Sequence, residues 1–466
     1  MIQTSKSGLA RFSSLDVLRG VAILGMVFSG IVPRGVMPAW MYHAQVGPPD
    51  HIFDPNLPGL TWVDLVFPFF LFCMGVAFPL ALRKMIENGF SNLKISVRIL
   101  QRGLALGVFA ILLQHMRPHH IENPPGTATW LAAILGLIIL FGVYSKYGNK
   151  ILQSKELWIR RGFWLLLLLW IPFYNLISEN SFSLNRSDII LIVLTNMAIV
   201  GGLIWLFTRD YPLIRLGALA LFLAFRLAHG ESDWLQSLWS YSPAPWLFHW
   251  DYLKYLFVVL PGTFAGEILL KGANTKNKDF DLTQASLLGG ISGALILTSL
   301  MGYQSRWLLG TSLILMFLIT AGLFLSKKIS NRAIVNLIYW GSFWLLLGIV
   351  FEPFEGGIKK DPSTLSYYFL TAGLAHYLLA SLMAWGERLD RSRFLGVLRD
   401  NGRNPMLAYV LMANLIWPLS ALLGIETQIQ KLAGQTSLLL SIAILKTLIL
   451  ALTVQWITKR GWQWKT

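Results

Sequence analysis

Residues 62–82 read WVDLVFPFFLFCMGVAFPLAL, and this stretch decides the class of fold. It is long and apolar enough to cross the hydrocarbon core of a bilayer as one helix, which takes about 20 mostly apolar residues. Its one charged residue, Asp64, stands near its start. The sequence therefore predicts an all-α, polytopic membrane helix bundle of about 14 (12–14) transmembrane helices, from runs near 15–32, 62–82, 99–114, 128–145, 162–177, 188–207, 212–228, 252–270, 283–301, 307–325, 333–351, 365–385, 404–423 and 437–457.

The composition of the 466-residue chain supports this class, because 55% of its residues are hydrophobic and only 13% are charged. Ordinary soluble domains carry about 25% charged residues. A soluble globular enzyme, a disordered chain and a disulfide scaffold are excluded, the last because Cys73 is the single cysteine. The net charge of +16 is dispersed between apolar runs, which does not indicate a nucleic-acid partner. No connecting segment is long enough for a separate soluble domain, so we expect one membrane domain over residues 1–466.

The 39 lysines and arginines predict the orientation of the bundle. With the N-terminus in the cytoplasm, most of them fall on the cytoplasmic side, as expected for loops of membrane proteins. We therefore expect both termini to be cytoplasmic. Imidazole suits membrane interfaces in general, yet seven of the eight histidines fall on the opposite, external side, namely His43, His51, His115, His119, His120, His229 and His249.

The first external loop, residues 33–61, reads PRGVMPAWMYHAQVGPPDHIFDPNLPGLT. Its prolines and glycines favour a fixed irregular loop. It carries His43 and His51, and Asp64 follows about one turn into the next helix. Ionisable residues within membrane segments are candidates for function, and a carboxylate can fix the tautomer of a histidine that acts as a general base. The alternative is that Asp64 only caps the helix after Thr61.

Charged residues elsewhere suggest two further contacts. Lys360 stands on the external side, which is otherwise poor in lysine, and is a candidate for binding negative charge or a residue of a solvated turn. Asp16 and Arg19 are three residues apart and can face each other on one helix. Arg19 can bind a phosphate through its planar fork, or serve as an orientation anchor with a local ion pair. The scattered histidines lack the spacing of metal ligands, so we expect no metal site.

Several motifs together resemble the heparan-α-glucosaminide N-acetyltransferase family and its bacterial transmembrane acyltransferase relatives. In the first two spans they are SLDVLRGVAILGMVF from Ser14, His43-Ala44, Gly59-Leu60-Thr61 and residues 64–75. Later blocks are FAGEIL (264–269), IKKDPSTLSY (358–367) and NPMLAYV (404–410). The resemblance implies a transmembrane acetyltransferase that moves an acetyl group from cytosolic acetyl-CoA to an amino or hydroxyl group of a sugar on the extracytoplasmic side.

The resemblance also implies roles for particular residues. His43 matches the family's essential external histidine, either as acetyl carrier or as base, and Asp64, Lys360 and Asn404 match further family positions. Fourteen residues, Gln45 to Pro58, separate the HA and GLT motifs where the family has about three. This insertion carries His51, which is therefore a rival for the catalytic role.

The expected sites are thus catalytic, substrate-binding and cofactor-binding. The catalytic candidates are His43, Asp64 and His51; those that would bind the sugar are Trp40, Tyr42 and Lys360; those that would bind acetyl-CoA are Arg19, Arg98, Arg102 and Asn404. Trp40 and Tyr42 can stack on a sugar ring, or serve as interfacial aromatics.

The expected surroundings are the lipid bilayer of a bacterial inner membrane, with a homodimer possible. One rival function is a transporter or flippase for a glycan or lipid-linked sugar, although the inverted repeats typical of transporters are not detectable. A membrane scaffold or assembly subunit is the other rival.

Overall fold

Helices make up 76% of the computed structural model, which describes residues 3–4, 10–33, 37–146, 153–272, 281–432 and 435–464. Residues 34–36 of the predicted loop therefore lie outside the described residues. In chain order the described α-helices are α1 (Ser13–Ser29), α2 (Trp62–Glu87), α3 (Asn92–Gln114), α4 (Pro118–Ile121), α5 (Thr127–Tyr144), α6 (Glu156–Ile177), α7 (Ile189–Asn196), α8 (Gly202–Thr208), α9 (Pro212–Ala228), α10 (Asp233–Ser240), α11 (Leu256–Gly272), α12 (Leu282–Gln304), α13 (Leu308–Ser326), α14 (Arg332–Phe351), α15 (Leu365–Trp385), α16 (Glu387–Arg391), α17 (Arg393–Arg403), α18 (Pro405–Leu411), α19 (Trp417–Leu422), α20 (Ile425–Gln430) and α21 (Thr436–Lys459).

Short segments of other geometry connect or extend these helices. Two π-helical segments, Met197–Gly201 and Met412–Ile416, continue α7 into α8 and α18 into α19. The 3-10 segments are Ala39–Met41 and Trp250–Tyr255. Four two-residue strands form two antiparallel pairs, Gln3–Thr4 with Ala10–Arg11 and Ser145–Lys146 with Gln463–Trp464.

The predicted all-α polytopic bundle is confirmed. Within the part of the chain that the structure describes, 12 helices are long and apolar enough to cross a membrane, or 13 if the pair of α9 and α10 counts as one span. The remaining predicted run, near 15–32, is α1, a helix of 17 residues. The orientation of the termini stays a prediction.

The chain divides into two compact units, each assembled from three segments. Unit 1 comprises Met1–Ser96, Val200–Leu227 and Lys254–Gly402, and unit 2 comprises Val97–Ile199, Ala228–Leu253 and Arg403–Thr466. The single functional domain over residues 1–466 stays a prediction.

Glycines allow two helices of unit 1, α2 and α11, to pack with their backbones in close contact. A Cβ atom on Gly75 would lie 2.0 Å from the carbonyl oxygen of Val259, and one on Gly262 would lie 2.4 Å from that of Phe72. Small residues at such spacing permit this approach in membrane bundles. The packing fixes α2, whose first turn carries Asp64.

Candidate active site

The first turn of α2 places the Asp64 carboxylate so that Oδ2 lies at the start of the helix and Oδ1 lies beside His43. Thr61 and Asp64 form a capping box at the start of the helix, an arrangement that satisfies backbone N–H groups lacking a helical partner. Oδ2 of Asp64 accepts hydrogen bonds from the backbone N–H of Ala44 (3.2 Å) and the backbone N–H of Thr61 (3.0 Å), and it lies 3.1 Å from the Thr61 hydroxyl oxygen. Oδ1 is left to face the loop that carries His43.

His43 lies between two carboxylates. Its Nδ1 is 3.3 Å from Oδ1 of Asp64, and its Nε2 is 3.1 Å from Oδ2 of Asp361. The Asp64 side chain is fully buried, whereas that of Asp361 is 49% exposed. The imidazole therefore has one carboxylate on the buried side and a second on the accessible side.

The hydrogen-bond partners of His43 suit both of its protonation states. In the neutral ring with the proton on Nε2, Nδ1 accepts a hydrogen bond from the backbone N–H of Gln45 at 3.2 Å, and Nε2–H donates to Asp361. In the protonated ring both nitrogens carry a proton; Nε2–H donates to Asp361, and Nδ1–H faces Oδ1 of Asp64 at 3.3 Å. The arrangement can thus hold the positive charge that arises when His43 takes up a proton.

Asp361 lies in the loop of residues 352–364, between α14 and α15 and outside the membrane-spanning helices. Burial raises the pKa of its carboxyl, but the hydrogen bond from His43 and the positive charges of Lys360, His43 and Lys254 outweigh that effect and lower the pKa below its usual value. Asp361 is therefore ionised throughout the neutral pH range.

Gln45 joins the two loops of the site. Its backbone N–H reaches His43, its side-chain oxygen accepts a hydrogen bond from the backbone N–H of Asp361 at 2.9 Å, and its side-chain nitrogen donates to the Asp361 carbonyl. The residue is fully buried. It therefore fixes the backbone of Asp361 through contacts that do not involve that residue's carboxylate.

Lys360 adds a positive charge to the site, with its Nζ 3.9 Å from Oδ1 of Asp64. Arg226 of α9 anchors the loop that carries it, donating to Oε1 of Glu355 at 2.6 Å and to the carbonyl of Ser363 at 2.7 Å. The other oxygen of Glu355 accepts the backbone N–H of Leu365 at the start of α15, also at 2.6 Å. The loop is thus tied to two helices of unit 1.

The remaining loop candidates lie apart from this pairing of charges. His51 packs its ring edge-on against Tyr42, with centroids 4.5 Å apart, and its Nδ1 lies 3.2 Å from the carbonyl oxygen of Val46. Tyr42 is buried; its hydroxyl donates to the carbonyl of Pro33 and accepts the backbone N–H of Met37, which stabilises the loop. Trp40 is 57% exposed. The predicted roles of these three residues stay predictions.

The residues predicted to bind acetyl-CoA are divided between the units. Arg19 belongs to unit 1, where its Nη1 donates to the carbonyl of Gly402 at 3.2 Å and pairs with Asp16 at 3.4 Å. Arg98 and Arg102 are exposed one turn apart on α3 in unit 2.

Asn404, also in unit 2, is fully buried and holds the end of the described chain. Its Nδ2 donates to the Thr458 hydroxyl and the Trp462 carbonyl, and its Oδ1 accepts the backbone N–H of Trp464. Both the nitrogen and the oxygen of the side-chain amide therefore have hydrogen-bond partners.

Sequence reasoning named His43, Asp64 and Lys360, which the structure brings together, but missed Asp361 and Gln45. Asp361 directly follows Lys360 in the block IKKDPSTLSY, and this position next to a candidate residue could have identified it. Gln45 is the first residue of the insertion, and nothing in the sequence around it indicates a contact with Asp361. Among the described residues, no three His, Cys, Asp or Glu side chains gather as metal ligands would.

Comparison with known proteins gives one family and two relatives. Residues 11–269, more than half of the chain, match a family described as "Domain of unknown function (DUF5009)". The chain is 29% identical over 122 residues to the heparan-alpha-glucosaminide N-acetyltransferase of Mus musculus, which covers 26% of this chain and 16% of the relative. It is 30% identical over 115 residues to the Homo sapiens protein of the same name, covering 24% of this chain and 15% of the relative. The matched segment thus spans about a sixth of these curated relatives, and the expected resemblance is confirmed over that segment.

Proposed function

This chain belongs to the family described as a domain of unknown function, DUF5009, and we propose that it is a transmembrane acetyltransferase. The proposed reaction moves an acetyl group from cytosolic acetyl-CoA to an amino or hydroxyl group of a sugar on the extracytoplasmic side of a bacterial inner membrane. The multi-span helical bundle and the similarity to two heparan-alpha-glucosaminide N-acetyltransferases support this proposal.

The observation that carries the proposal is the contact between His43 and the fully buried Asp64. Their atoms Nδ1 and Oδ1 are 3.3 Å apart. In the neutral resting ring Nδ1 accepts from Gln45 and Nε2–H donates to Asp361; during the reaction, the proton moves to Nδ1, where the Asp64 carboxylate holds it. The lone pair of Nε2 is then available for chemistry. General bases and nucleophilic histidines both require this arrangement.

Two chemical routes use the same lone pair. In the direct route, Nε2 removes a proton from the acceptor while the acceptor attacks the acetyl carbon and the thioester C–S bond breaks. In the covalent route, Nε2 attacks the thioester itself, CoA leaves, and the acceptor then takes the acetyl group from the ring. In both routes Lys360, close to the same carboxylate, stabilises negative charge that develops on the carbonyl oxygen.

Acetyl-CoA is proposed to bind through its phosphates to arginines on the predicted cytoplasmic side. Arg19, Arg98 and Arg102 carry the planar guanidinium that suits phosphate oxygens. Asn404, whose amide already holds the C-terminal residues, would contribute by fixing that segment. The acceptor sugar would meet His43 beside the exposed Trp40.

The test is acetyl transfer by the purified full-length chain in nanodiscs, with labelled acetyl-CoA and glucosamine. We expect release of CoA and a labelled product from the unaltered chain, and loss of transfer in His43→Ala. His51→Ala is expected to retain transfer, because His51 packs on Tyr42, and Asp50→Asn serves as an exposed control in the same loop. Absence of acetyl-CoA binding overturns the enzyme class, and full activity of His43→Ala overturns the mechanism.

A labelling experiment without acceptor separates the two routes. Labelled acetyl-CoA is mixed with excess protein and quenched within one turnover. Label on the protein that is absent in His43→Ala supports the covalent route. Its absence, with normal transfer once glucosamine is added, supports the direct route.

A further inference from the structure

Asp361 and Asp64 contact opposite nitrogens of one imidazole but differ in their access to water. Asp64 is fully buried and its Oδ2 is occupied by the start of α2, so this carboxylate can only hold the ring. Asp361 contacts Nε2, the nitrogen that would take part in chemistry, and is half exposed. Its carboxylate is the one that can exchange a proton with the aqueous phase.

We propose that Asp361 is the second carboxylate partner of His43, and that it receives the proton of the reaction from Nε2 and passes it to water. The inference rests on the proposed function. In the direct route the acceptor nitrogen or oxygen forms its bond to the acetyl carbon, the C–S bond breaks, and its electron pair leaves on the CoA sulfur. The acceptor proton moves to Nε2, and the charged ring then donates this proton through Nε2–H to Asp361 and on to water, which restores neutral His43.

The covalent route also requires Asp361 to accept the proton of the reaction. CoA leaves when Nε2 forms its bond to the acetyl carbon, and the acceptor releases its proton when it takes the acetyl group from the ring. Asp361 is the ionised and accessible carboxylate beside that bond. The role is therefore independent of the choice between the routes.

The contacts around Asp361 allow the substitution Asp361→Asn to test the role of its carboxylate alone. Gln45 holds Asp361 through its backbone N–H and C=O, and neither contact involves the carboxylate that the substitution removes. Among the described residues, the charged groups beside His43 and Asp361 include Asp64, Lys360 and Lys254, and none of them changes. Asp361→Asn therefore removes one negative charge beside Nε2 while keeping the loop.

The activity test compares pH profiles of acetyl transfer to glucosamine by the full chain in nanodiscs. We expect Asp361→Asn to lower kcat at least tenfold, within the range of proton-transfer effects. The acidic limb of kcat/KM should move to lower pH, because loss of a nearby negative charge disfavours the charged ring. Added formate should restore part of the rate of Asp361→Asn and leave the control Asp50→Asn unaffected. An unchanged profile without rescue by formate overturns the proposal.

A second measurement does not depend on turnover. In protein with labelled histidine, the NMR titration of the His43 ring should move to lower pH in Asp361→Asn, because the substitution removes the carboxylate that lies 3.1 Å from Nε2. The same titration in both proteins overturns the role of Asp361 even if acetyl transfer is detected. If the titration moves as expected but no transfer to any acceptor is found, the pairing stands and the proposed function fails.

Discussion

Oδ1 of Asp64 lies 3.3 Å from Nδ1 of His43, while Oδ2 of the same carboxylate accepts two backbone hydrogen bonds beside the start of α2. One side chain thus caps a membrane helix and orients an imidazole. The two interpretations that the sequence left open for Asp64, a helix cap and a partner of a histidine, describe its two oxygens. The position of His43 is thereby linked to the first turn of the helix on which unit 1 is built.

Asp64→Asn should abolish most of the activity while preserving the fold. The amide oxygen can replace Oδ2 in the helix cap, and the amide nitrogen would then face Nδ1 and donate to it. The proton is forced onto Nε2, which removes the lone pair that both routes use, and we expect kcat to fall about 1,000-fold or more, as for wrong-tautomer variants of catalytic histidines. Steady-state kinetics and thermal unfolding measure the two effects. Parallel loss of activity and folded protein would contradict this division of roles.

Thr61→Val should give the opposite result. The substitution removes the hydroxyl that donates to the Tyr42 carbonyl at 2.6 Å and lies 3.1 Å from Oδ2 of Asp64. It leaves Oδ1 and His43 unchanged. We expect a loss of about 1 kcal/mol in stability, typical of a lost helix cap, with kcat within a few fold of the unaltered chain. A fall in kcat as large as that of Asp64→Asn would show that the cap itself controls the ring.

Arg226→Lys should slow the reaction because it loosens the loop that carries Lys360 and Asp361. Nη2 of the guanidinium donates to both Glu355 and the Ser363 carbonyl, and the shorter lysine side chain would leave its ammonium group farther from both oxygens. We expect kcat to fall about tenfold, since small displacements of reacting groups lower the reaction rate strongly. The matched control is Arg306→Lys, which pairs with Glu352 at the first residue of the same loop, eight residues before Lys360, and should change kcat little.

The sequence was sufficient for the elements of this fold, because a membrane span is a local property. All fourteen apolar runs are helical, and α1, a helix of 17 residues, contains Asp16 and Arg19 in its first turns. The division into two units was not predictable in this way. Both units are built from apolar helices of the same kind, so neither composition nor periodicity changes where the chain passes from one to the other.

The contact between His43 and the buried Asp64 was predictable from the sequence, whereas the contact between His43 and the more exposed Asp361 was not. Asp64 lies 21 positions from His43, in an adjoining helix whose start is evident from the sequence. Asp361 lies 318 positions from His43, and Gln45 contacts it across 316 positions. Loops have no periodicity that reports their partners, so these contacts follow only from how the helices of unit 1 pack.

Unit 2 should lose stability in mild acid because of His115. Its Nδ1 is 2.8 Å from the Ile111 carbonyl, to which it donates, and its Nε2 accepts the backbone N–H of Ser183, so the neutral ring is required. Burial and the charges of Arg186 and His120 lower the pKa of His115, although the bond to Ile111 raises it. The unfolded chain therefore takes up the proton first, and stability that is complete above about pH 6.5 declines as the pH falls below it. Thermal unfolding between pH 7.5 and 5 should show this decline, and His115→Gln should flatten it; an equal slope in both proteins would exclude His115 as its source.

Gly402→Ala should separate α1 from α17 and disturb Arg19. A Cβ atom on Gly402 would lie 1.8 Å from the Asp16 carbonyl oxygen, and the corresponding atom on Gly20 would lie 1.9 Å from that of Leu398. Both obstacles are backbone atoms, which cannot rotate away as a side chain can. The helices must therefore move apart, which should destabilise the protein by about 1–3 kcal/mol, typical of overpacking.

The same substitution tests the donor side of the proposed reaction. Arg19 donates to the Gly402 carbonyl at 3.2 Å, so displacement of α17 changes where its guanidinium points. If Arg19 binds the CoA phosphates, Gly402→Ala should raise KM for acetyl-CoA several-fold with a smaller change in kcat, because His43 lies beyond the far end of α1. The control is Gly217→Ala, since a Cβ atom there meets nothing within 4 Å and alanine should favour the helix by about 0.5–1 kcal/mol. An unchanged KM in a measurably destabilised Gly402→Ala protein would remove Arg19 from the acetyl-CoA site.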